Sequence, residues 1–172
     1  MSSGVRFDEF QPGADVARLW FETVVQGGPG GVAALLPYDQ RARAGGAVFS
    51  YASAETQVLG LVLANAVGRP VAQYLHEKIW EPMGAEADAS WLIDAAGQEA
   101  TYCCLNATLR DYARLALLLA HDGRRGDRQI IPKAWLLEAT TTARISPWSG
   151  PTRVSATAIR PGSSTSHAAC SP

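Results

Sequence analysis

The stretch SAETQVLGLVLANAVGRP, residues 53–70, constrains this chain more than any other. Wound at helical periodicity, Val58, Leu59, Leu61, Val62, Leu63, Ala66 and Val67 point in nearly every direction, so the helix is expected to be a core element, buried on most sides. Ser53 reads as its N-cap, a role that needs only a side-chain oxygen near the N2 or N3 amide, and Glu55 adds an acid where the helix dipole favours one. Gly68 followed by Pro70 is the stop signal. A helix with no polar face demands neighbours, and the rest of the chain must supply them.

Most of the remaining patterns are helical. DVARLWFETVVQGG sets Val16, Leu19, Trp20, Thr23 and Val24 at helical spacing behind Asp15, a capping residue type, and closes at Gly27-Gly28. VAALLPYDQRARAGG is expected to be an irregular connection, because Pro37 and Gly45-Gly46 punctuate it. Pro70 suits the first turn of a helix over VAQYLHEKIW, which must stop before Pro82 and Gly84. The short connection predicts that this helix and 53–67 pack as neighbours. ASWLID, residues 89–94, is the best strand candidate, turned by AAGQE. TLRDYARLALLLAHDG carries a capping-box arrangement at Thr108 and Asp111 and is closed by Gly123. RQII is a further strand candidate, and Pro132 opens a short helix over PKAWLLEAT.

Composition removes several function classes. Fifteen basic against sixteen acidic side chains give a formal charge of -1, without the surplus of positive charge that nucleic acid or an anionic membrane surface demands. No apolar run approaches the roughly 18 residues of a membrane span, and MSSGVRFDEF has no basic segment leading into an apolar one. The default compartment is therefore the cytoplasm. Of three cysteines, Cys103 and Cys104 are adjacent, and neither a metal-ligand spacing nor a disulfide framework can be read from them. His76 and His121 sit on predicted helices without a ligand at matching spacing, so no metal and no cofactor is expected. From about Ile145 the chain has no acid, no lysine and no apolar periodicity, which predicts a disordered tail over residues 145–172. Its abruptness, in a chain whose only lysines are Lys78 and Lys133, is what a change of reading frame in a GC-rich gene would produce.

Three segments in order, FSYASAETQVLGLVLANAVGRPVAQYLHEKIWEPMGAEADASWLID, NATLRDYARLALLLAHDG and IIPKAWL, resemble the central region of serine hydrolases of the beta-lactamase and penicillin-binding-protein type. Within that group the resemblance is to the class C-like esterases and 6-aminohexanoate-dimer hydrolases. It covers most of residues 1–144, including MSSGVRF, which is similar to the stretch after the nucleophile's helix, and LRDYARL, which is similar to a recurrent D-x-A-R helix. The resemblance implies a partial domain over 1–144: a mainly α fragment of the α+β beta-lactamase/transpeptidase-like fold, a helical subdomain with few strands.

Such enzymes combine S-x-x-K, a Y-x-N triplet and a later K-T-G-like strand. Tyr51-Ala52-Ser53 matches the triplet, with Ser53 where the commoner version has Asn. The resemblance thus makes Tyr51 the general acid/base that faces the nucleophile, and Ser53 its hydrogen-bonding neighbour. A serine attacks an acyl carbon only when something accepts its proton, and an ordinary phenol near pKa 10 is about 0.1% ionised at pH 7 unless a cation favours the phenolate. The first element's lysine supplies that cation, yet these 172 residues contain no S-x-x-K and no K-T-G. The serine and lysine are expected in sequence upstream of Met1.

Two functional expectations follow. One is a serine-type hydrolase of small-molecule amides or esters whose chemistry this chain cannot complete alone. The other is a non-catalytic helical module that binds a partner or complementary fragment. Without the resemblance, Tyr51 is most simply an aromatic packed ahead of a helix. Cys103 and Cys104 are not read as nucleophiles, for want of a histidine in a known arrangement. The resemblance places them where glycines are common, close to the substrate cleft. Arg110, Asp111 and Arg114 read as an ordinary charged helix face.

Overall fold

The computed structural model describes residues 1–25 and 28–141, so the expected tail and the Gly27 end of the first helix lie outside the described residues. The described chain is mostly helix with a few very short strands, in the order α1 (Asp15–Thr23), a 3-10 turn (Ala33–Tyr38), α2 (Ser53–Val67), α3 (Val71–Leu75), β1 (Ser90–Trp91), β2 (Leu105–Asn106), α4 (Leu109–Ala120), β3 (Arg124–Arg125), β4 (Arg128–Gln129) and α5 (Lys133–Thr140). A wider π turn, His76–Trp80, extends α3, so the single helix read over 71–80 is present with its winding relaxed in the second half. The chain bends by 75° between α2 and this extended helix, at the break made by Gly68 and Pro70. No single helix among the described residues is long and apolar enough to cross a membrane.

The strand expected over 89–94 shortens to β1, which pairs antiparallel with β2 through Ser90 opposite Asn106 and Trp91 opposite Leu105. Beyond it, a bridge between Ile93 and Glu99 closes the AAGQE turn, where Asp94 accepts the N–H groups of Ala96 and Gln98 at 2.9 Å each. Of RQII only Arg128 and Gln129 are strand, paired with Arg125 and Arg124. α4 begins as its sequence predicts. The Thr108 hydroxyl accepts the Asp111 N–H at 3.2 Å and donates to the Asp111 carboxylate at 2.8 Å.

The apolar core lies in the C-terminal half. Trp80, Met83, Leu118, Ile131 and Leu136 form one buried cluster between the end of the α3 extension, α4 and α5. Asp111, with no exposed surface, organises its polar border: its carboxylate accepts the N–H groups of Glu86 and Ala87, the Thr108 hydroxyl and the Arg114 guanidinium. These partners hold its carboxyl below the ordinary aspartate range, with the Glu86 N–H the largest cause.

α2 corrects the strongest expectation. It is not buried on most sides. Its inward residues are Ser53, Ala54, Gln57 and Gly60, whereas Val58, Leu59 and Val62 are 45%, 64% and 59% exposed. Asn65 and Ala66 continue that exposed stripe, one face of the helix at spacings of three and four residues. The helix is thus inverted, with small and polar residues inside and apolar residues outside. The inner face is chosen by the segment that crosses it. Gln57, completely buried, donates through Nε2 to the Glu99 carbonyl at 3.0 Å and accepts the Thr101 N–H at 2.8 Å. A Cβ on Gly60 would stand 2.2 Å from the Thr101 hydroxyl oxygen, so only glycine lets this segment lie so close.

Candidate functional site

The Tyr51 turn is built by residues far apart in sequence. Residues 1–10 run alongside the segment before α2: Arg6 N–H donates to the Gln40 carbonyl at 2.7 Å, Ala42 N–H to that of Gly4 at 2.8 Å, and Gly46 N–H to that of Ser2 at 2.7 Å. Ser3 donates its hydroxyl to Glu55 in the first turn of α2 at 2.7 Å. This lacing brings Glu9 to the end of the helix. Its Oε2 accepts the Ser53 N–H at 2.9 Å and its Oε1 accepts the Ser53 hydroxyl at 2.7 Å.

Ser53 is therefore not the N-cap. Ala52 holds that position without a side-chain bond, and Ser53 is the first helical residue, buried. The physical reason is that a carboxylate meets the helix dipole's positive end and accepts an orphan N–H more strongly than a neutral hydroxyl does. Asp15 behaves likewise: it is the first residue of α1 rather than its cap, and its carboxylate accepts the Asp8 N–H at 2.8 Å.

Tyr51 sits just ahead of this locked turn and is 42% exposed. Its ring leans on Phe10, with centroids 6.2 Å apart and planes tilted by 35°, and among the described residues its hydroxyl makes no hydrogen bond. The bland reading of a packed aromatic accounts for the ring, which has a neighbour on one side.

A second phenol, overlooked in the sequence, belongs to the same neighbourhood. The Tyr102 hydroxyl shares a 2.8 Å hydrogen bond with that of Thr23. Burial pushes its pKa above the ordinary tyrosine value, the Thr23 bond works against the rise, and the negative charge of Glu9 adds to it. Tyr102 is thereby kept protonated as a donor or acceptor of hydrogen bonds. Neither Glu9 nor Tyr102 carries a local signal. Only the acid-to-amide bond across 44 residues and the crossing of α2 by the 99–102 segment bring them in.

Cys103 and Cys104 are disulfide-bonded to one another, so neither presents a thiolate. Cys104 has φ +68°, the left-handed region that glycine adopts without cost and other residues seldom do. That conformation fits the resemblance, under which this stretch often reads with glycines. His76 and His121 join no group of three or more metal-ligating side chains among the described residues, and His167 lies outside them.

The sequence signature of the beta-lactamase family matches residues 1–162. A 6-aminohexanoate-dimer hydrolase of Paenarthrobacter ureafaciens is 25% identical over 88 residues, 51% of this chain and 22% of that protein. Among solved structures, a Bacillus anthracis protein designated a 6-aminohexanoate-dimer hydrolase superposes with a TM-score of 0.69 at 25% identity, over 81% of this chain and 39% of its own. A Bacteroides dorei protein designated a beta-lactamase shares the fold with a TM-score of 0.59 at 24% identity, over 88% of this chain and 43% of its own. The chain thus spans less than half the length of each of these relatives.

Proposed function

This chain belongs to the beta-lactamase family, and from that premise we propose that it carries the tyrosine of a serine-type amide or ester hydrolase that works through an acyl-enzyme. The observation that carries the reading is the state of Tyr51: a phenol hydroxyl exposed and unbonded among the described residues, on a turn whose next helix is pinned through Ser53 by Glu9. A general base needs its oxygen free and its position held, and the open hydroxyl and the pinned helix start support that reading.

In the proposed chemistry Tyr51 accepts the proton of a serine hydroxyl as that oxygen bonds to the acyl carbon, then returns it to the departing amine or alcohol. Water repeats the sequence to release the acid. Ser53 takes the Asn-like position only as an acceptor, because its single O–H is committed to Glu9. The designations of the relatives favour an amide between short aminoalkanoate units as substrate, with esters as the easier alternative. The serine and its lysine are not in these 172 residues, so the chain by itself is proposed to be silent. With a chromogenic ester and a serine-directed phosphonate, the purified chain is expected to show neither turnover nor labelling. Turnover by the chain alone that survives Tyr51→Phe would overturn the reading.

A second reading is favoured by α2. Its outward Val58, Leu59 and Val62 form the kind of apolar stripe that is covered in a complete domain, so the chain also fits a non-catalytic module that binds a complementary fragment. The two readings share a surface but differ in whether Tyr51 matters once that surface is covered.

A further inference from the structure

A cavity of ≈ 520 Å³ opens on the C-terminal half, and none of its lining residues belongs to the Tyr51 turn. Its floor is apolar: Met83 and Leu118 are buried members of the core cluster, and the exposed side chain of Leu117 extends that surface outward. Its rim carries three arginines, Arg114, Arg124 and Arg125, beside His121, and no acid is among its lining residues. The volume lies within the range of small-molecule sites, which are mostly apolar with a few placed polar groups.

The cations are not equivalent. Arg114 is already neutralised, since its guanidinium bonds both Glu86 and the buried Asp111. Arg124 and Arg125 form β3 and are exposed. Arg125 is set in place by an unusual fit. A Cβ on Gly84 would fall 1.9 Å from its Nη1, so its guanidinium lies flat against the Gly84 backbone, and Nη1 donates to the Pro82 carbonyl at 3.2 Å. No acidic side chain is bonded to Arg124 or Arg125 among the described residues. The negative end of α4 does not offset them, because the carbonyls of Leu117, Leu118 and Leu119 are taken by the N–H groups of His121, Gly123 and Asp122. Two uncompensated forks above an apolar floor match a planar anionic head on an apolar body.

We propose that this cavity binds a small amphiphilic carboxylate, its head held by Arg124 and Arg125 and its chain laid over Leu117, Leu118 and Met83. The site is independent of the Tyr51 chemistry and would serve as a ligand or effector site on the same domain. Calorimetry on the 172-residue chain with octanoate, octan-1-ol and acetate tests it. Octanoate is expected to bind at least tenfold more tightly than either fragment, since each fragment lacks one half of the recognition. Arg124→Gln with Arg125→Gln should weaken octanoate at least tenfold with the melting temperature unchanged, and Arg124→Gln alone, which leaves the Gly84 contact intact, at least threefold. Methyl shifts on octanoate addition should map to Leu117 and Leu118. Absent octanoate binding, octanol binding equal to octanoate, unchanged affinity in the folded variants, or shifts confined to another face would each overturn the proposal.

Discussion

Asp111 and Glu77 are both acids tied to cations, and their surroundings decide that they matter differently. Asp111 is enclosed and accepts two backbone N–H groups, a hydroxyl and a guanidinium, whereas Glu77 stands on the surface between Lys78 and Arg69, which lower its pKa from 4.5 to about 2. Both carboxyls are depressed in the fold. Their contribution to stability is therefore complete above the unfolded values, 3.8 and 4.5, and is lost as pH falls through those values toward the folded ones. Asp111→Asn should lower the melting temperature by on the order of 10 °C at neutral pH and flatten its acid limb. Glu77→Gln should change the limb only at low salt, since water and ions screen an exposed pair. Melting curves between about pH 2 and 7 at two ionic strengths check both, and equal effects would contradict the assigned enclosure. The capping partnership of Asp111 with Thr108 was legible because it is local. Glu9 was not, because nothing near Ser53 announces a carboxylate arriving from 44 residues away.

At the scale of elements, the end of α2 could be read from the Gly68 and Pro70 stop, the start of α4 from its Thr108 cap and that of α5 from Pro132, since these signals act within a turn of the chain. What could not be read was which side of α2 faces inward. Apolar periodicity identifies a face only when the neighbour is apolar too. Here the neighbour is a polar crossing segment, gripped by Gln57 and admitted by Gly60, so Val58, Leu59 and Val62 are turned out. The same logic shortens the 89–94 strand, because Trp91 commits its indole N–H to the carbonyls of Ala100 and Cys103 and draws the chain into a tight loop instead of a longer ladder. Replacing Leu59→Lys with Val62→Glu should shift the unfolding free energy of the isolated chain by no more than about 0.5 kcal/mol and reduce its self-association in sedimentation. A loss of about 2 kcal/mol or more would mean the face is already covered.

For the whole molecule, the described residues divide their support. A compact apolar cluster holds the C-terminal helices, while the Tyr51 turn rests on hydrogen bonds between residues 1–10 and 40–55 rather than on a core of comparable size. The family resemblance was visible in the order of three matching segments, and the beta-lactamase signature and the two superposed structures agree with it. Of the candidate site only Tyr51-Ala52-Ser53 could be named from the sequence, since the groups around it are set by contacts between distant segments. The account depends on Tyr51 retaining the acid/base position of the family's fold. The most direct test is a chimera in which residues 1–141 replace the matching part of the Bacillus anthracis relative, which supplies the rest of that fold. The account predicts measurable ester or amide turnover in the chimera and a fall in kcat of about 10²–10⁴ in its Tyr51→Phe form. An active chimera whose kcat is unaltered by that substitution would contradict it.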